Sequence, residues 1–434
     1  MTDSRWQPIV DSRGTGELLT LRTRSVEAIL AIARCLRVPV NQSGPGHAPF
    51  QAFNLPDGSA GTALLFAYLA RAALREPVLG HPDDWRQVAL SHLDHACQGV
   101  ADVSMSAGLF GGFPGVGWAV VHVGRMLDTE PDTTGEIDEV LLEVVLKRPW
   151  RGDFDLISGL VGIGVYALER MPEPVAERCL REVIGRLGEL AQHDANGVAW
   201  HTSAARLVGR RQEAGPEGIY DLGMAHGLAG VIALLAGTHA AGVAREQASG
   251  LLEGAVSWLL AHSLGPGGHG GFPWAHAPGF EPHPARAAWC YGDAGIAAAL
   301  QHAAACTHNP VWAEHARALA LGVARRPRGE TGVKDVGICH GSAGLIQILN
   351  RLYQATGEPA LREAVHDWIS WTLASRVHGH ENSVAGFQAL NYEGGQPVWL
   401  ADRGLLGGAA GVALALLATV SDVAPRWDRV FLLS

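Results

Sequence analysis

A chain of 434 residues with 47% hydrophobic and 18% charged residues has ample material for a core and is not the composition of a disordered protein. Its formal net charge of −10 is spread along the chain, and no basic patch with interleaved aromatics appears, so nucleic acid is excluded as a partner. No apolar run reaches the roughly 18 residues of a membrane span, and the opening Met1-Thr2-Asp3-Ser4-Arg5-Trp6 lacks the apolar stretch of a signal peptide.

Read in chain order, the sequence repeats one unit. Gly-x-x-Gly followed by an apolar run occurs at Gly58 to Gly61, Gly112 to Gly115, Gly159 to Gly162, Gly227 to Gly230, Gly292 to Gly295, Gly341 to Gly344 and Gly408 to Gly411. The first glycines are 47 to 68 residues apart, the signature of a repeat architecture running over about residues 25–420. Each pair opens a segment rich in Ala, Leu, Val and Ile, and a helix apolar on nearly every side is one surrounded by protein. Between these lie stretches with apolar residues at helical spacing: 26–37, 89–99, 138–148, 176–191, 246–262, 311–325 and 361–377. Such helices keep one face in water.

Seven buried helices alternating with seven half-exposed ones predict an all-α fold, an α/α toroid with an inner and an outer ring, built as a single domain over residues 1–434. Almost no period-two alternation is present, so almost no β-structure is expected. The missing Cβ at each glycine pair permits a tight turn and close backbone approach at the entry of the inner helix. Long Gly- and Pro-rich linkers at 192–223, 263–285 and 376–406 read as irregular loops. They carry Asp221, His269, His276, His283, His378 and His380, which read by default as solvated loop residues with peptide contact as the alternative.

Six cysteines in a chain this long make no disulfide framework and place it in a reducing cytoplasm. Cys35, Cys97, Cys179 and Cys306 fall on amphipathic stretches and read as small core hydrophobes, as His92, His95, His302 and His315 read as histidines of the outer stretches. Cys290, in Trp289-Cys290-Tyr291-Gly292, and the pair Cys339-His340, before Gly341, differ. They occupy equivalent places at the glycine turns of consecutive repeats, so neighbouring inner helices would bring them together. Two thiolates and an imidazole are ligands that Zn²⁺ selects, and three protein ligands leave one tetrahedral position open. An open zinc there would present a substrate thiol as a nucleophile near neutral pH.

Cys-Tyr-Gly, Cys-His-Gly and the seven glycine-bounded helices resemble the lanthionine synthetase C-like family, over essentially the whole chain from Gly58 onward. The resemblance implies a stand-alone lanthipeptide cyclase of the nisin-cyclase type. Such an enzyme uses zinc to add cysteine thiols of a precursor peptide, leader plus core, to dehydroalanine or dehydrobutyrine residues made by a separate dehydratase. It places the zinc ligands on Cys290, Cys339 and His340, the acid/base histidine on His226, and the family's aspartate, arginine and tyrosine on Asp155, Arg286 and Tyr291. Thiolate attack on the β-carbon gives an enolate that needs a proton at the α-carbon, which histidine is suited to deliver. Arg286 would stabilise the developing oxyanion or orient a group of the metal site, and Asp155 would orient His226 or collect a proton, with a helix cap as the plainer reading. Where many members carry a proline after Cys-Tyr-Gly this chain has Asp293, which places an acid close to the expected metal. With no dehydratase or kinase segment ahead of the repeats, a bifunctional synthetase is not expected. The alternatives are a zinc and thiol (glutathione or peptide) binding protein of the same fold and, more remotely, a zinc prenyltransferase-like enzyme, whose six helical pairs and Asp-x-Cys ligands fit this pattern worse.

Overall fold

The computed structural model describes every residue except 1–5, 11–14, 42–47, 130–133, 208–215, 266–270, 378 and 380. His269, His378 and His380 therefore lie outside the described residues. Fourteen α-helices occur among those described. In chain order they are α1 (Glu17–Leu36), α2 (Ser59–Ala73), α3 (Pro82–Asp102), α4 (Phe113–Leu127) and α5 (Gly135–Leu146). Next come α6 (Leu160–Arg170), α7 (Pro174–Leu190), α8 (Leu228–Ala241), α9 (Arg245–Ala261) and α10 (Asp293–Thr307). The last are α11 (Pro310–Arg325), α12 (Ser342–Thr356), α13 (Pro359–Ala374) and α14 (Ala409–Val420).

The even-numbered helices start at the seven glycine pairs and are apolar all round. Every residue of α14 is buried, as are all but Arg71 of α2. The odd-numbered helices are amphipathic. On α13, Leu361, Ala364, Val365, Trp368, Ile369 and Thr372 are buried while Arg362, Glu363 and Asp367 face water. Four of these outer helices begin on a proline (Pro82, Pro174, Pro310 and Pro359), whose missing N–H costs nothing in the first turn.

No inner helix has a side-chain cap on its first amides. The turn ahead of it folds back and supplies backbone carbonyls instead. Ser342 N donates to Asp335 O at 3.0 Å, Ala409 N to Asp402 O at 3.0 Å, and Leu160 N to Asp153 O at 3.2 Å. This brings the second glycine of six of the seven pairs (Gly61, Gly162, Gly230, Gly295, Gly344 and Gly411) onto the chain six residues earlier. A Cβ at Gly344 would stand 2.1 Å from Ile338 O, and one at Gly295 2.2 Å from Trp289 O. Only glycine fits.

Contacts gather the chain into two units. The first comprises Met1–Ser106, Phe110–Thr134 and Lys334–Asp428. In it α12 packs on α13 and α14, α14 on α1 and α2, and α2 on α3 and α4. The N-terminal segment is bound to the end of α14: Trp6 Nε1 donates to Ala418 O at 2.8 Å, Val10 N to Thr419 O at 2.9 Å, and Arg22 Nη1 to Val420 O at 2.7 Å. The second unit comprises Ala107–Leu109, Gly135–Val333 and Arg429–Ser434. There α8 packs on α6, α9 and α10, α7 on α5, α6 and α9, and α10 on α11.

The linkers read as irregular hold three small antiparallel sheets. The first two are β1 (Gln192–Asp194) with β2 (Gly197–Ala199), and β3 (His201–Thr202) beside β4 (Ile219–Asp221) and β5 (Ala275–His276). The third is the hairpin β6 (Ala389–Glu393) with β7 (Gln396–Leu400). Strands of two to five residues give too little alternation to be read from sequence. Asp221, read as a solvated loop residue, is buried on β4, where its Oδ1 accepts the Gly223 amide at 2.8 Å. His302 and Cys306 also depart from expectation. They lie one turn apart on the C-terminal half of the inner helix α10, with the sulfur 3.8 Å from Nε2.

The close approach predicts a sharp contrast between glycines. Gly61→Ala sets a Cβ 2.1 Å from Leu55 O and should lower unfolding stability in urea by about 3 kcal/mol. Gly250→Ala, on α9 with nothing within 4 Å of the new methyl, should leave it unchanged or raise it by up to about 1 kcal/mol.

Candidate functional site

The residues singled out by sequence sit in the entry turns of the inner helices, and backbone hydrogen bonds join successive turns. In the second unit Leu156 N donates to Ala225 O at 3.2 Å and Ala225 N to Cys290 O at 3.3 Å. In the first, Cys339 N donates to Leu406 O at 3.0 Å and Leu405 N to Pro56 O at 2.7 Å. A side chain one or two positions before the first glycine is thus carried on backbone fixed from two sides.

His226 and Asp155, 71 residues apart, are brought into contact: His226 Nδ1 meets Asp155 Oδ2 in a short hydrogen bond. The other oxygen, Oδ1, accepts the Ser158 amide at 2.8 Å. Asp155 is therefore both the cap at its own turn and the partner of His226. The Asp155 side chain is 10% exposed and that of His226 27%, so the carboxylate is sheltered while the imidazole reaches solvent. Tyr291, half-buried, lies nearly parallel to the His226 ring with centroids 6.3 Å apart and stands edge-on to Trp274 at 6.2 Å. A cavity of about 440 Å³ opens beside this pair, walled by Trp150, Phe154, Leu190, Trp200, His201 and Arg206. Arg206 Nη1 is held at 2.7 Å by Asp153 Oδ1.

Cys290, Cys339 and His340 each offer a ligand atom, and these three atoms lie within 4.8 Å of one another. Tetrahedral zinc, with bonds of about 2.3 Å to sulfur and 2.0–2.1 Å to nitrogen, sets neighbouring ligand atoms roughly 3.5–3.8 Å apart. Two thiols and an imidazole are a donor set that suits such an ion and leaves one of its four positions for another ligand. Cys290 is buried, Cys339 and His340 half-buried. Gly292 has φ +127°, and a Cβ there would fall 1.6 Å from Arg286 O, so the Cys290-Tyr291 turn demands glycine.

Asp293 sits differently from expectation, and Arg286 is open to solvent. The Arg286 backbone is pinned beneath Gly292, while its side chain is exposed and makes no hydrogen bond or ion pair with the described residues. Asp293 is fully buried and turned into the fold. Its carboxylate accepts the Gly271 and Phe272 amides, each at 3.0 Å, and meets Arg326 in a short ion pair. Burial raises its pKa against the pull of those amides and of Arg326. In place of the family's proline, Asp293 ties a loop to α10 rather than lending an acid to the ligand cluster.

Sequence reasoning missed Asp335. This residue is 3% exposed; its Oδ2 lies 3.4 Å from His340 Nε2 and accepts the Leu390 amide at 3.2 Å. The signal was present but ambiguous, because an aspartate six residues before the first glycine recurs as Asp153, Asp221, Asp335 and Asp402 and reads as a turn cap.

Comparison with known proteins gives the family and the fold. The lanthionine synthetase C-like protein family matches residues 49–432, and the chain belongs to that family. It is 26% identical over 207 residues to the nisin biosynthesis protein NisC of Lactococcus lactis subsp. lactis, a match that takes in 45% of this chain and 48% of that one. The chain thus spans about half the length of the curated relative it matches. The structure of nisin cyclase overlays with a TM-score of 0.70 at 18% identity, covering 95% of this chain and 97% of that one, and the fold is accordingly an α/α toroid. A cellobiose 2-epimerase from Bacillus thermoamylovorans B4167 overlays at 0.44 with 13% identity, over 85% and 94%. No helix among the described residues is long and apolar enough to cross a membrane.

The remaining thiols set a baseline. Burial pushes Cys179 up to about 12 and Cys306 up to about 11, so at pH 7 fewer than about one in 10³ of either is thiolate. Both should resist alkylation of the native protein at pH 7 while Cys35 and Cys97, which are exposed, are labelled. Mass mapping of labelled peptides checks this, and equal labelling of Cys179 and Cys35 would contradict it.

Proposed function

We propose that this chain is a zinc-dependent lanthipeptide cyclase, which closes thioether rings by adding precursor-peptide cysteine thiols to dehydroalanine and dehydrobutyrine in the same peptide. The observation that carries the reading is the grouping of two thiols and one imidazole, with no fourth protein ligand in the group among the described residues. Such a set suits an open catalytic site rather than a closed structural one. A zinc ion held by Cys290, Cys339 and His340 supplies the Lewis acidity that lets an incoming thiol ionise near neutral pH.

The chain's other residues account for the rest of the addition. As the carbon–sulfur bond forms at the β-carbon, the π electrons of the alkene move onto the neighbouring carbonyl oxygen, and the α-carbon must then gain a proton. His226 delivers it from Nε2, because Nδ1 is engaged by Asp155. The sheltered Asp155 carboxylate fixes the ring's orientation and stabilises its protonated form. Arg286, exposed and without a structural partner among the described residues, supplies positive charge for the developing oxyanion. Tyr291 lines the same wall, and the cavity beside His226 takes peptide lying against it. The substrate is a dehydrated precursor, leader plus core, made by a separate dehydratase in the cytoplasm.

Purified protein should contain about one zinc per chain, consistent with a single cluster, and its removal with a chelator should abolish ring closure. Cys339→Ala should do the same, and His226→Ala should slow closure by roughly 10²–10⁴-fold. Mass spectrometry with thiol alkylation of a dehydrated peptide counts the rings. Full cyclisation by both variants would overturn the reading, and metal binding without any ring closure would leave a thiol-binding protein.

A further inference from the structure

Four repeats place an aspartate six residues before the first glycine, and the described geometry separates what those aspartates do. Asp221 and Asp402 each turn one carboxylate oxygen onto the amide two residues ahead, at 2.8 Å to Gly223 and 2.7 Å to Gly404. That bond closes the local turn. At Asp335 no such bond is found among the described residues: Oδ1 is buried with no hydrogen-bond partner among them, and Oδ2 is turned to His340 Nε2 and to the Leu390 amide at the start of β6. A buried carboxylate oxygen left unpaired is costly, so the orientation of Asp335 calls for a reason other than closing the turn. Asp335 gives up the turn bond and faces the imidazole instead. Its carboxylate is not in the donor group that Cys290, Cys339 and His340 form.

We propose that Asp335 is the positioning residue of the metal centre, holding His340 by Nε2 so that Nδ1 is the ligand nitrogen. The inference rests on the metal-binding reading of the cluster. The His340 side chain is 35% exposed, and an acceptor 3.4 Å from Nε2 restrains the ring on that side. Once Nε2–H is drawn onto this carboxylate, now 3.4 Å away, the tautomer is set and the lone pair on Nδ1 becomes the stronger donor, as in other carboxylate–histidine–metal arrangements. The Leu390 amide on the same oxygen fixes the carboxylate in turn and ties β6 to the metal turn.

Zinc affinity measured by competition with a chromophoric chelator tests this on the full chain. Asp335→Ala should bind zinc about 10–100-fold more weakly than the parent protein, and the d–d bands of its cobalt-loaded form should move. Asp335→Asn keeps an acceptor for Nε2–H and for Leu390, so it should recover part of the affinity while remaining several-fold weaker than the parent. Unchanged zinc affinity and an unchanged cobalt spectrum in Asp335→Ala would overturn the role of Asp335 and leave the metal centre standing. If that variant fails to fold, the same two measurements on Asp335→Asn decide, and parent values in both overturn the proposal. A parent protein that takes up neither zinc nor cobalt overturns the metal centre and this inference together.

Discussion

The structure depends on the contact, made in six of the seven pairs, between the second glycine and the carbonyl six residues behind it. That contact folds the entry turn over the start of the helix, so backbone carbonyls satisfy the first amides and no side chain is spent on capping. The same turns then donate amides to one another, Leu156 to Ala225 and Ala225 to Cys290, or Cys339 to Leu406. With the backbone carrying the structural bonds, the position just before the first glycine can hold Asp57, Ser158, His226, Tyr291 or His340 within the same frame. A fixed scaffold with variable side chains at one place is how repeats acquire chemistry.

Buried carboxylates divide into two kinds according to their partners. Asp138 is paired with Arg170 and Asp293 with Arg326, guanidinium groups that stay charged at any physiological pH and so act as permanent counterions. Asp155 and Asp335 are instead turned to imidazoles, those of His226 and His340. An imidazole can give up a proton or bind a metal through its second nitrogen. The carboxylates that hold structure and those that face the candidate chemistry are told apart by whether their partner can change state.

Much of the fold could be read before the structure. All seven inner helices start at their glycine pairs, and the outer helices overlap the amphipathic stretches, beginning a few residues earlier where a proline opens them. The three small sheets could not be read, since β3 and β5 have two residues each and are paired by segments distant in the chain. Of the site, Cys290, Cys339 and His340 were visible as residue types at equivalent places in consecutive repeats. Asp335 was hidden because its sequence position is shared with aspartates that cap turns, and the direction a carboxylate points is not written in its spacing.

Composition and periodicity alone determined the all-α repeat, the alternation of buried and amphipathic helices and the places where glycine is obligatory, because these follow from local backbone geometry and the 3.6-residue period. Only the tertiary structure decided where the polar side chains point: Asp155 to His226, Asp335 to His340, Asp293 inward to Arg326 and Arg286 out to solvent. Those choices are settled by which unsatisfied donors and charges the packed neighbours offer, and neighbours tens of residues away in the chain are set by the fold rather than by the local sequence.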